Sequence, residues 1–306
     1  MEEIFSDPIS DTHEDYVDRP IPRGVKNKAI VLVSFTDGYV IRQQFEYFKM
    51  FLKYAPIMFN SDGISIKKEN GHKTILTETL LDRKYLLDYH LDLDRVNCPE
   101  TKSHVINTSL VEFYNQAKCL AKKEGLRFSQ WSDNPNILIC QSFGSNKSND
   151  GHVKMKTEKF DPPYHALDDG IPEGAEPNVK IPLNAFCNSC NGFDRAKYSH
   201  GIFKCYPNGV HLYGSNETVS VEATNTWGTT TQRVKQGSIY ITKTANYFTV
   251  KVPLALIKAL KKMSSWNSNG IVCLYCRKDG VLRLETPVGY VGKNITHLMD
   301  PELLNE

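Results

Sequence analysis

The stretch Lys159–Glu173, KFDPPYHALDDGIPE, constrains this chain more than any other. Pro162, Pro163 and Pro172 fix φ and remove backbone donors, and the carboxylates Asp161, Asp168, Asp169 and Glu173 follow neither a helical nor a strand period. Such a segment runs extended over a surface. On either side of it the chain follows the same plan twice.

In the first half, AIVLVSF (residues 29–35) is an apolar strand. A helix is expected over about Val40–Tyr54, with Ile41, Phe45, Phe48 and Leu52 at helical spacing. Asn60–Ile66 is a turn entering an alternating strand, and strand character continues to Leu93. A second helix is expected over Thr108–Lys123, with Leu110, Phe113, Tyr114, Ala117 and Ala121 as its apolar face. A hairpin turning at Ser132–Asn136 and an alternating edge strand at Val153–Phe160 complete the half. After the connector come a helix at Ile181–Phe193, an Asn-Gly turn and strand at Tyr206–Gly214, and strands at Thr218–Thr224 and Tyr247–Val252. A helix at Pro253–Met263 and a hairpin at Ile271–Glu285 follow. Two amphipathic helices with an antiparallel sheet in each half is an α+β plan. The expected boundaries are a disordered extension at 1–28, domains at 29–158 and 180–300, and a connecting loop at 159–179.

A chain of 306 residues with 40% hydrophobic content buries a substantial core, and its formal charge of +2 means that any nucleic-acid contact comes from a local face. No apolar run approaches the ~18 residues of a membrane span. The acidic first twenty residues lack a signal-peptide apolar core. An intracellular, reducing location is therefore expected, with the eight cysteines as thiols and Asn107, Asn216 and Asn294 unglycosylated.

Gly170-Ile171-Pro172-Glu173, then Lys180-Ile181-Pro182 and Phe186, resemble the end of the connecting loop and the opening of domain two in the eukaryotic-type DNA sliding clamps typified by proliferating cell nuclear antigen. Phe248-Thr249-Val250 running into Leu254–Lys262, and FNSDGISI with His72 beyond it, are similar to further segments of that family. The resemblance spans about residues 29–300 and implies two tandem clamp-type domains in a ring-forming fold. It departs at the long loops Asp94–Ser103 and Gly144–Gly151, at Asn188 and Asn191 where the family carries arginines, and at the C-terminal HLMDPE. That drift resembles a clamp of a large DNA virus, which would place it in the nucleus or a viral replication compartment.

A sliding clamp holds duplex DNA through phosphates, without reading bases. The resemblance assigns that role to Arg42, Lys49, Lys53, Lys118, Lys122, Arg195, Lys197, Lys251, Lys258, Lys261 and Lys262. It implies a homotrimer closed head to tail through edge strands, with Val153, Met155 and Phe160 of one subunit facing Val219 and Val221 of the next. It further implies a pocket for the peptide plugs of DNA polymerase and other clients at His72, at Tyr164, His165, Ala166 and Leu167, and at His297, Leu298 and Met299. A clamp loader is a further implied partner. No cofactor, metal or enzymatic activity is expected.

Two other classes share these residues. One is a clamp-fold factor that does not encircle DNA, as a monomeric or dimeric polymerase subunit or a late transcription factor. The other is a zinc-dependent regulator built on Cys187-x-x-Cys190 and Cys273-x-x-Cys276. Against zinc, the second pair sits in a strand that points i and i+3 to opposite faces, and the first sits on a helix where cysteine serves as apolar filler.

Overall fold

Ala29–Phe35 forms β1, buried along its whole length, as a continuous apolar run requires. It belongs to a computed structural model that describes residues 28–118, 124–144, 152–156, 175–195, 198–206, 209–215, 225–228, 248–267, 269–277 and 279–299. Asp37 starts α1 (Gly38–Phe48) by accepting the Val40 N–H at 3.0 Å. Five strands follow: β2 (Tyr54–Asn60), β3 (Gly63–Glu69), β4 (Ile75–Asp82), β5 (Asp88–Leu91) and β6 (His104–Ser109). The Ser109 side chain accepts the Glu112 N–H to open α2 (Leu110–Ala117). The half closes with β7 (Gly125–Trp131), β8 (Asn134–Phe143) and β9 (His152–Lys156).

The second half repeats the order with β10 (Val179–Pro182), α3 (Leu183–Arg195), β11 (His200–Tyr206), β12 (Gly209–Ser215) and β13 (Asn225–Gly228). Then come β14 (Phe248–Pro253), α4 (Leu254–Leu260) with a 3₁₀ turn at Lys261–Ser265, β15 (Ile271–Cys276), β16 (Val281–Val288) and β17 (Gly292–Met299). The α+β plan expected from periodicity is the one observed.

Several elements differ from the sequence reading. Helix α1 ends at Phe48 rather than Tyr54, because Tyr54–Asn60 is drawn into the sheet between β3 and β6. Phe51 and Leu52 keep the helical period only as a run of turns after the helix. Thr108, read as helical, pairs with Ala55 in β6. The turn of the first hairpin is shorter than Ser132–Asn136, since Asn134 already pairs with Trp131. Ile181 and Pro182 belong to β10, paired to β15, rather than to α3. Cross-strand pairing outweighed local propensity in each case. The Asn60–Gly63 turn is as expected: the Asn60 side chain accepts the Asp62 and Gly63 N–H groups. A Cβ on Gly63, at φ +144, would meet the Leu81 carbonyl at 2.1 Å.

Among the described residues the strands make three antiparallel sheets, in the orders β5-β1-β7-β8-β9, β10-β15-β16-β17-β4-β3-β2-β6 and β13-β12-β11-β14. The eight-stranded sheet takes four strands from each half and joins them where β4 pairs β17, from Gly292↔Leu81 to Leu298↔Ile75. Over this seam lies a buried polar cluster. The Tyr47 hydroxyl lies 2.8 Å from Thr296 Oγ1, and Asn294 Nδ2 donates to Thr79 Oγ1 at 2.9 Å and to the Glu78 carbonyl at 3.2 Å. Thr79 Oγ1 donates to Gln44 of α1 at 3.0 Å.

The helices form one layer on these sheets. Helix α1 packs against α2, with Phe45 stacked on Phe113 at 3.6 Å between ring centroids, and on its other side against α4 and the 3₁₀ turn, which α3 also contacts.

The long connection after β5 is held by a histidine. Asn97 and Val105 exchange hydrogen bonds through the Asn97 amide, and the Asn97 N–H donates to His104 Nδ1 at 3.3 Å. His104 therefore carries its proton on Nε2 and donates to Gln130 of β7. Burial holds the His104 imidazole below its ordinary range, partly offset by the Gln130 bond. A depressed imidazole means that the unfolded chain takes up the proton first as pH falls, so stability drops below the ordinary histidine value of about 6.5. Urea midpoints should fall between about pH 7.5 and about pH 5, and His104→Gln should shrink that fall. An equal fall in the variant would assign the pH dependence elsewhere.

Candidate nucleic-acid interface

Helix α1 lies between two neighbouring helices and above a sheet, so nearly all of it is buried. Tyr39, Arg42 and Glu46 are its partly exposed positions, and Lys49 at its C-cap continues the same stripe at i, i+3, i+4 spacing. This stripe is the open surface of the helix layer. Arg42 donates to the Lys118 carbonyl at the end of α2 (2.7 Å), with its guanidinium 4.5 Å from the Tyr39 ring. The Lys49 ammonium sits 3.1 Å from the centre of the Tyr114 ring. From the other side, Lys262 reaches Glu46 at 3.1 Å.

These contacts bring cations of three helical elements together. Burial is the main cause holding the Lys49 ammonium below its usual range; Glu46 pulls the other way, and the charges of Lys262 and Lys118 add to the depression. Lys49, Lys118 and Lys262 are therefore electrostatic neighbours, although they lie far apart in the sequence.

The remaining basic residues are more dispersed. Lys53 follows α1, 5.2 Å from the Tyr54 ring. Lys258 lies in α4 and Lys261 in the 3₁₀ turn. Lys251 does not share a helix side with them: it is exposed in β14, paired with Ile202. Arg195 closes α3, and Lys122 and Lys197 lie outside the described residues. Tyr114, read as part of the apolar face of α2, is half-exposed beneath Lys49. Sequence reasoning also missed Glu46, the one carboxylate of α1, which was visible at i+4 from Arg42.

His72 is exposed in the turn between β3 and β4. His297, Leu298 and Met299 form the end of β17 rather than a tail, and His297 and Leu298 are 2% and 0% exposed. Strand pairing to β4 and β16 draws them into the sheet, so these two side chains offer no surface to a plug. Tyr164, His165, Ala166 and Leu167 lie outside the described residues.

Val153 and Met155 lie in β9, an edge of the five-stranded sheet. Phe160, Val219, Val221 and the rest of Thr218–Thr224 lie outside the described residues, where the edge of the four-stranded sheet is β13. Of the CxxC pairs, Cys187 and Cys190 are buried in α3, and burial raises both thiols, Cys187 to about 11. Cys276 shares a thiol hydrogen bond with Cys205 of β11 rather than with the first pair. Among the described residues no three metal-ligating side chains cluster.

No protein-family profile matches the sequence, and no curated protein matches it. Solved structures do. Proliferating cellular nuclear antigen from Entamoeba histolytica is similar at a TM-score of 0.63 and 13% identity, over 89% of this chain and 98% of that one. A subunit of the PCNA2–PCNA3 complex from Sulfolobus tokodaii is similar at 0.64 and 13%, over 88% and 98%. With three antiparallel sheets, one spanning both halves, under a single layer of helices, the chain has the PCNA clamp fold.

Proposed function

We propose that this chain is one subunit of a ring that encircles duplex DNA, slides along it and tethers DNA polymerase and other replication or repair proteins, as a scaffold rather than a catalyst. The observation that carries this reading is the open surface of the helix layer, where Arg42, Lys49, Lys118 and Lys262 converge in a PCNA clamp fold. Long cationic side chains on rigid helices contact phosphates without reading base edges, which suits a protein that must hold DNA and still move. Glu46 holds Lys262 at 3.1 Å and tempers that grip.

Ring closure needs a head-to-tail contact whose rotation closes. The edges β9 and β13 supply unpaired backbone for it, as the last strands of the five- and four-stranded sheets among the described residues. In this reading the domains are 29–158 and 180–300, and clients dock beside the connecting loop and His72.

The test is mass in solution by light scattering, with three times the 34.8 kDa subunit expected. Replacing Val153 and Met155 together by Asp should return the mass to one subunit while circular dichroism stays unchanged. A folded wild-type protein that remains monomeric at micromolar concentration would overturn the ring.

A further inference from the structure

We propose that the acidic N-terminal segment of this chain docks on the basic surface of its own helix layer and competes there with DNA. The segment Met1–Asp18 carries Glu2, Glu3, Asp7, Asp11, Glu14, Asp15 and Asp18 and no lysine or arginine. The helix layer is its electrostatic complement. From Asp37 through Lys53, α2 with its cap, and α4 with the 3₁₀ turn, the chain presents Arg42, Lys49, Lys53, Lys118 and three further lysines, against Asp37, Glu46 and Glu112. Burial is the main cause holding the Lys49 ammonium below its usual range, and the charges of Lys262 and Lys118 add to it, so a carboxylate arriving there offsets that part of the repulsion.

The segment is also within reach. It leaves the fold at Lys28, whose carbonyl accepts the Ser132 N–H at 2.9 Å at the start of β1. The ten residues from Asp18 to Lys28 span up to about 33 Å when extended. Helix α1 is 11 residues long, which is about 16 Å at helical rise. The linker is thus up to about twice as long as helix α1 itself. Tethering holds it at millimolar effective concentration, enough for exposed pairs that are individually weak.

Duplex DNA presents denser charge and releases counterions, so it displaces the arm. The arm then sets a threshold, suppressing loose contact with DNA that has not been threaded through the ring. This regulatory consequence rests on the DNA reading above, whereas the docking does not.

Two measurements on the full chain separate them. Carbodiimide cross-linking of DNA-free protein, read by mass spectrometry, should join the arm carboxylates to Lys49, Lys118 and Lys262, and roughly 0.5 M salt should abolish the products. Cross-links falling instead on exposed lysines outside α1, α2, α4 and the Lys261–Ser265 turn, such as Lys73 or Lys84, would overturn the docking. The second measurement replaces the seven carboxylates by Asn and Gln in the full chain and follows duplex binding by anisotropy. Affinity should rise about tenfold at low salt, and the gain should vanish at high salt. Unchanged affinity would overturn competition. Cross-links to the layer with no DNA binding in either protein would retain the docking and sink the DNA reading instead.

Discussion

Asn294→Leu should destabilise the protein by about 2–4 kcal/mol, because it orphans hydrogen-bonding groups buried at the seam between the halves. The Asn294 amide donates to Thr79 Oγ1 and the Glu78 carbonyl, and its oxygen accepts from Thr296 Oγ1 at 3.1 Å. These groups lie over the β4–β17 junction, 0% exposed at Thr77, Thr79, Asn294 and Thr296, so water cannot stand in for the missing amide. Burial pushes the Tyr47 phenol up to about 12 and keeps it neutral, so Tyr47→Phe removes one bond to Thr296 and should cost less, about 1 kcal/mol. Gly292→Val attacks the same seam through the backbone, since a Cβ there would meet the Leu80 carbonyl at 1.9 Å. Urea denaturation followed by tryptophan fluorescence ranks the three; a wild-type midpoint for Asn294→Leu would mean that the cluster does not hold the halves together.

Replacing Lys49, Lys118 and Lys262 together by Ala should flatten the dependence of log affinity on log salt by about 0.9 for each phosphate no longer neutralised, close to three units in all. Folding should survive, since none of the three belongs to the buried core. Affinity for two duplexes of unrelated sequence should fall equally, because phosphate contacts carry no sequence information. Glu46→Gln should act in the opposite direction by releasing Lys262 from its 3.1 Å ion pair, giving tighter binding and a steeper slope. Anisotropy across a salt series measures all of these. A wild-type slope in the triple variant, or a preference for one duplex, would remove the helix layer as the DNA surface.

Local chemistry was legible where a segment answers only to itself. The continuous apolar run of β1, the Asn60–Gly63 turn and the apolar spacing of α1 each follow from residue type and period, and two halves built alike follow from their recurrence. Long-range pairing decided the rest. Tyr54 is the expected end of a helix but opens a strand between two others, and His297 and Leu298 look terminal but lie inside an eight-stranded sheet. The candidate site divides in the same way. That lysines stand just past the ends of α1 and α2 and within α4 and its 3₁₀ turn is written in the sequence. That Lys49 feels the charges of Lys118 and Lys262, that Glu46 pairs with Lys262, and that Lys251 stands apart in β14 depend on helix packing. Charge position along a chain is a local property, whereas charge proximity depends on which faces the core leaves open, and only the folded packing settles that.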